Sequence, residues 1–342
     1  MLKDITVSCS PHISGRFSTR SVMVDVIIAL VPALIAAYWF FEMRAVILIG
    51  TCIVSSVLTE LICNLIRKKE NPYESLGDFS AVVTGIILAF SVPPALPVWA
   101  AVIGSAFAIA IGKMVFGGLG ANIFNPAMVG RAFLMASFGV LMTTWMVPAT
   151  IDPAKSEIEF ENKIDARTQA TPLKLSKEAI KTKSGAKENV NKYIIASFWG
   201  NTGGCLGETS AFAILIGGLY MLLIRRTINI HIPLAVLLSA FVFASAAYFI
   251  NPDAYVSPFA HILNGGLMLC AFFIATDPVT APLTKKGMWL FGIGVGALTM
   301  LIRIVGGYPE GVMFAVLLMN AVTPLIDRFF KFTPAGGKPN VG

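Results

Sequence analysis

The segment Asp165-Ala166-Arg167-Thr168-Gln169-Ala170-Thr171-Pro172-Leu173 offers a chemistry that most polar loops lack. A proline pushes the residue before it toward extended geometry, so Thr171 presents a hydroxyl that a modifying enzyme can reach and convert to a phosphoester. No neighbouring histidine activates that oxygen, so the attachment would be made by another protein. Composition alone reads the same segment as an ordinary turn, and Thr168 is the competing hydroxyl. Further on stands Gly200-Asn201-Thr202-Gly203-Gly204-Cys205-Leu206-Gly207-Glu208, leading into Thr209 and Ser210. No strand–helix unit surrounds this run, which excludes a dinucleotide fingerprint. Gly203 and Gly204 permit close backbone approach, and the backbone N–H groups and helix N-terminus near Thr209 and Ser210 are available to an anion or to the polar edge of a planar ring beside Glu208. Tight packing at a helix entrance is the plainer reading.

Metal or haem chemistry has little support. The five cysteines show no CxxC spacing, and none of the three histidines has another three or four residues away. Charges inside apolar segments are costly and therefore informative: Asp25, Glu60, Lys113, Arg131, Asp277, Arg303, Glu310 and Asp327 are the set. Most fall within a turn of a segment end, where snorkelling suffices. Arg131 and Glu60 read as the deepest, and no row of carboxylates forms a self-contained ion path.

The elements that must position these groups are set by composition. Of 342 residues, 56% are hydrophobic and 13% charged, and the mean hydropathy is +0.76, so lipid is the solvent for most of the chain. Runs long enough to cross a bilayer, roughly 20 apolar residues, occur at about 22–41, 45–66, 78–93, 96–115 and 128–149, then at 210–225, 229–250, 258–276, 288–305 and 310–328. The expected fold is an all-α polytopic membrane protein of about ten transmembrane helices. Its parts are an arm (1–21), a five-helix half (22–149), a long polar loop (150–209), a second five-helix half (210–328) and a tail (329–342). Lys and Arg crowd the short loops on the side of the N-terminus, which places both termini in the cytoplasm and 150–209 outside. The net charge of +7 then needs no nucleic-acid partner.

Two halves with an odd number of spans each must be inverted if they are repeats. Ser91-Val92-Pro93-Pro94 and Gly117-Gly118 in the first half match Thr276-Asp277-Pro278 and Gly306-Gly307 in the second. Small residues from Gly104 to Gly112 favour close helix contact.

The loop segment resembles the flavinylation motif Asp-x-x-Ser/Thr-Gly-Ala-Thr, departing from it at Gln169. Ser10-Pro11-His12, Ser18-Thr19-Arg20, Phe124-Asn125-Pro126-Ala127-Met128-Val129-Gly130-Arg131-Ala132-Phe133, Gly203-Gly204-Cys205-Leu206-Gly207-Glu208-Thr209-Ser210 and Ala275-Thr276-Asp277-Pro278-Val279-Thr280 also resemble, in order, the D-type (RnfD) components of Rnf complexes. The B-type component of the sodium-pumping NADH:quinone reductase is similar, with a longer N-terminal region. The resemblance implies FMN held as a phosphoester on Thr171, installed by a flavin transferase, with Asp165, Thr168, Arg131, Gly203, Gly204, Glu208 and Thr209 as its surroundings. It also implies a non-covalent flavin such as riboflavin, a plasma-membrane location, the other Rnf complex subunits (the A, B, C, E and G components) as partners, and electron transfer from ferredoxin to NAD+ coupled to Na+ or H+ movement. A five-plus-five channel or secondary transporter is the rival from another class, and a bare scaffold the third reading; neither needs an external flavin-attachment site.

Overall fold

The computed structural model describes residues 18–68, 71–146, 171–182, 194–200, 202–208 and 210–331. Among them the regular elements are helices. The first, α1, covers Thr19–Ile66, 48 residues; as one rod it would be about 72 Å long, more than twice the hydrocarbon thickness. It is broken at Glu42, whose φ of 52° and ψ of −139° are not helical. Lys113 lines a cavity with Val22 and Met23 from the start of the first arm, and also bonds Glu60 near the end of the second. The two arms therefore run antiparallel, as the expected spans 22–41 and 45–66 require.

Next come α2 (Ser80–Phe90), α3 (Val98–Ile109) with a π-helical turn (Ala110–Met114), α4 (Pro126–Ser137) and α5 (Gly139–Met142). The segment read as a long loop contributes α6 (Pro172–Thr182), α7 (Ile194–Trp199) and a 3-10 turn (Leu206–Glu208). The rest is α8 (Ala211–Leu219) with a π turn (Tyr220–Arg225), α9 (His231–Ile250), α10 (Pro258–Leu263), α11 (Leu267–Leu269) with a π turn (Cys270–Ile274), α12 (Lys285–Ile304) and α13 (Val312–Phe329).

Helices α1, α9, α12 and α13 are long and apolar enough to cross a membrane, whereas α2, α3 with its π turn and α8 with its π turn are apolar but shorter. The architecture is all-helical and, by these lengths, polytopic. Three expected spans come out shorter or broken, each for a local reason. The span at 78–93 is cut to α2 because Pro93 and Pro94 lack the N–H groups that would continue it. The span at 128–149 stops at Ser137, where Phe138 leaves helical geometry. The span at 258–276 splits at Asn264-Gly265-Gly266, with Gly265 at φ 76°, a left-handed conformation that favours glycine.

Small residues bring the helices together, as lipid-solvated packing requires. A Cβ on Gly130 would lie 2.7 Å from that of Ala108 and 2.8 Å from the carbonyl oxygen of Gly104, and one on Gly112 would lie 2.9 Å from Pro126 Cα. The expected strip from Gly104 to Gly112 thus seats α3 on α4. Gly292 and Gly296 seat α12 on α9 at Ala235, Val236 and Ser239 in the same way. The outer surface carries exposed Ile35, Trp39, Leu223, Phe249, Ile250 and Phe329.

At Gly217 the backbone of α8 meets the carbonyl oxygen of Ala29 in α1, leaving no room for a Cβ. Gly217→Val should force the two backbones apart at an overpacking cost of about 1–3 kcal/mol or more. A large fall in monodisperse protein on size exclusion in detergent is the expected result, and wild-type recovery would contradict it.

Candidate functional site

The residues singled out by sequence gather mainly at one end of the bundle. Thr171 precedes Pro172, the first residue of α6, and caps that helix: its Oγ1 accepts from Lys174 N at 3.2 Å, and its carbonyl accepts from Leu175 N at 3.0 Å. Thr171 is 5% exposed. A proline at the first helical position and a threonine before it are a favourable start for a helix, so the local sequence sets this geometry. Two residues on, buried Leu173 packs against the unwound joint between α10 and α11, where a Cβ on Gly265 would collide with Leu173, Arg303 and Glu310.

That joint is held by charge. Arg303, near the end of α12, donates to the carbonyls of His261 and Asn264 and to both oxygens of Glu310, at 3.2 and 3.3 Å. Glu310 accepts in turn from Gly266 N at 3.1 Å and from Val312 N at 3.3 Å. Around Gly266 stand Glu208 and Arg131, 3.7 and 4.0 Å from where its Cβ would be. Arg131 is 2% exposed, lies 3.8 Å from Glu208 Oε1 and points one Nη at Cys205 Sγ, 3.9 Å away. Arg131 Nε and Glu208 Oε1 are buried without a hydrogen-bond partner among the described residues.

The glycine-rich run lies beside this cluster. Gly203 abuts the Met146 carbonyl, Gly204 touches Glu208, and a Cβ on Gly207 would lie 2.7 Å from that of Phe90 in α2. Three of its N–H groups are already engaged: Cys205 N with Glu208 Oε2, Leu206 N with the Val92 carbonyl, and Glu208 N with the Cys205 carbonyl. Tight packing thus accounts for much of the run. Asp165, Thr168 and Thr209 lie outside the described residues.

Helix α6 is fastened here by Lys177. Its Nζ reaches the carbonyls of Ile302, Arg303 and Ile304 at 3.5, 2.9 and 3.5 Å, the end of α12 where carbonyls lack intrahelical donors. Burial, and then the charge of Lys181, hold the Lys177 ammonium below the usual lysine pKa.

A second constellation surrounds Lys113, with residues 276–278, ahead of the start of α12, in its lining. A cavity receives one residue from each π turn, Lys113, Met221 and Phe273, together with the unwound residues Asn122, Asn125 and Asp277. Such turns often mark functional positions. Lys113, 1% exposed, donates to Glu60 Oε1 and Oε2 at 2.8 Å each and to Ser80 Oγ at 2.7 Å. Asn125 links the two halves of the chain: its N–H donates to Asn320 Oδ1, its Nδ2 to the Ile274 carbonyl, and its Oδ1 caps α4 through Met128 N. Asn122 Oδ1 and Thr227 Oγ1, both on residues lining the cavity, are buried without hydrogen-bond partners among the described residues.

A family model, that of NQR2, RnfD and RnfE, matches residues 6–336. The chain belongs to the NQR2, RnfD, RnfE family. It is 44% identical over 331 residues to the D component of the Na(+)-translocating ferredoxin:NAD(+) oxidoreductase complex of Acetobacterium woodii, covering 96% of this chain and 94% of that protein. Identity is 41% over 332 residues to the D component of the proton-translocating ferredoxin:NAD(+) oxidoreductase complex of Clostridium ljungdahlii, covering 95% and 94%. It is 39% over 344 residues to the D component of the ion-translocating oxidoreductase complex of Vibrio cholerae, covering 95% and 97%.

Thr171, Arg131, Gly203, Gly204 and Glu208 are brought to one end of the bundle. Arg303 and Glu310 join them there, although the sequence placed both near segment ends where snorkelling would suffice. Asp25 and Lys113, read the same way, are also buried and paired, Asp25 with Arg225 at 2.8 Å and Lys113 with Glu60 at 2.8 Å. The Asn264-Gly265-Gly266 joint was missed. Its signal was a Gly pair inside an apolar run, overridden by counting the run as one span.

Proposed function

We propose that this chain is the RnfD component of an ion-translocating ferredoxin:NAD+ oxidoreductase and carries FMN as a phosphoester on Thr171. The observation that supports this most is the position of Thr171: it caps α6, and α6 is docked on a buried Arg–Glu cluster. A phosphoester at a helix N-terminus meets the positive end of the helix dipole. Arg131, with Nε unpartnered among the described residues, and Arg303 supply positive charge to the same end; Gly203, Gly204 and Glu208 line it, and Asp165, Thr168 and Thr209 would complete it. The isoalloxazine supplies the electron chemistry, and the protein's part is to position it and exclude water.

The cavity ringed by the three π turns suits a second, non-covalent flavin such as riboflavin. Its lining is mostly apolar, and Asn122 and Thr227 bring polar atoms unpartnered among the described residues. We read the bundle as ten spans in two inverted halves. Lys113 precedes Gly117-Gly118 and Arg303 precedes Gly306-Gly307 by about one turn, and each cation is buried in an ion pair. The termini then face the cytoplasm and the Thr171 end faces outward. The A, B, C, E and G components complete the electron path, with Na+ or H+ as the coupling ion.

The test is peptide mass spectrometry of the chain co-expressed with its flavin transferase. An FMN-sized adduct on the Thr171 peptide, missing in Thr171→Ala, is expected, with riboflavin released into the supernatant on acid precipitation of either protein. An unmodified Thr171 beside an active transferase would reject the covalent assignment.

A further inference from the structure

We infer that docking of α6 and modification of Thr171 exclude one another: a flavin transferase acts on this chain only while α6 is lifted from the bundle, and Lys177 is the positioning residue that controls how often it lifts. The inference rests on the reading that Thr171 carries FMN. It follows from where the hydroxyl sits in the docked arrangement. Thr171 is 5% exposed, and its Oγ1 is engaged with Lys174 N. A transferase has to enclose that oxygen and bring a flavin dinucleotide to it. In the step itself, Oγ1 attacks the flavin-side phosphorus of the dinucleotide. The Oγ1–P bond forms, the pyrophosphate P–O bond breaks, AMP leaves, and the hydroxyl proton passes to solvent. An attacking oxygen needs an open face opposite the leaving AMP, and a buried capping hydroxyl offers none.

What holds α6 down is a short set of contacts. Pro172, Leu173 and Ser176 are its buried side chains next to Thr171 and half-buried Leu175 packs on Val256 and Ala260, while Lys174, Glu178, Lys181 and Thr182 are exposed. The inner face is therefore small, and its polar anchor is Lys177 on the three carbonyls that end α12. Those carbonyls have no intrahelical donors, so the ammonium satisfies groups that would otherwise turn to water. Lys177 lies six residues beyond Thr171, outside the segment that carries the attachment motif, which lets docking be altered while the motif is left intact. The order that results is modification first and docking of α6 through Lys177 second.

The experiment uses the full-length chain purified in detergent from a host without flavin transferase, then mixed with transferase, Mg2+ and FAD. Adduct on the Thr171 peptide is followed in time by mass spectrometry for wild type, Lys177→Ala and Lys177→Arg. Lys177→Ala should be modified roughly fivefold faster, the effect of losing a partly exposed charge-assisted anchor. Lys177→Arg, which keeps a cation for the carbonyls, should stay near wild type, an outcome that general loosening of the fold would not produce. Equal rates for all three would overturn the inference while leaving Thr171 as the flavin site. Absence of adduct in all three would instead remove the reading beneath it. A measurement on wild type alone decides the matter if the alanine variant does not fold. Hydrogen exchange of the amides of 173–182, under conditions where opening limits exchange, gives the rate at which α6 lifts. Modification slower than or equal to that rate is expected, and modification faster than it would show that the docked hydroxyl is attacked directly.

Discussion

Lys113→Met should destabilise the chain by about 3–5 kcal/mol, because it strands the Glu60 carboxylate in the protein interior without its cation. Glu60 is 1% exposed and Lys113 likewise; both carboxylate oxygens bond Nζ, and the same ammonium reaches Ser80, whose hydroxyl donates to Asp78. In an apolar surrounding neither water nor snorkelling can relieve the orphaned charge. Removing both members is a different matter. Glu60→Leu with Lys113→Met should recover most of the loss, since a buried pair gains little over well-packed apolar residues. Equilibrium unfolding in mixed micelles compares the three proteins, and a single variant as stable as wild type would show that the pair is wetter than its burial indicates. Lys113 also borders the cavity of the π turns, so the single variant should lose any ligand held there while the double variant retains part of it.

Arg303→Gln is the second change with a large expected effect, again about 3–5 kcal/mol. The guanidinium bonds the His261 and Asn264 carbonyls on one side and both oxygens of Glu310 on the other, and an amide cannot replace that fork. Glu310 would keep only the Gly266 and Val312 N–H groups. Glu310→Gln should cost less, about 1–3 kcal/mol, because the amide oxygen still accepts from one of these donors. The damage should be local as well as global: the joint at Asn264–Gly266 supports Leu173, so limited proteolysis should cut within 172–182 sooner in Arg303→Gln than in wild type. Equal cleavage rates would separate the joint from α6 and contradict the docking of that helix.

Which parts of this fold were readable in the residues follows from how local each cause is. Hydropathy marked the apolar segments because lipid demands long apolar runs regardless of what they pack against. Prolines and glycines marked the breaks at Pro93-Pro94 and Gly117-Gly118 because those residues act on their own backbone. The role of Thr171 as a helix cap follows from Pro172 beside it. Small residues from Gly104 to Gly112 announced a close contact, though the partner, α4, was identified only by the fold.

The sequence by itself determined a lipid-solvated helical chain, its helix breaks and the residue types at its candidate site, since each depends on composition or on a neighbour in the chain. Only the tertiary structure decided that Lys113 meets Glu60 across 53 residues and Asn125 meets Asn320 across 195. It also decided that Arg303 supports a broken helix beneath α6, and that Thr171 lies buried. Pairing and burial are set by how distant helices pack, and no local pattern of residues encodes which of several buried charges will face which.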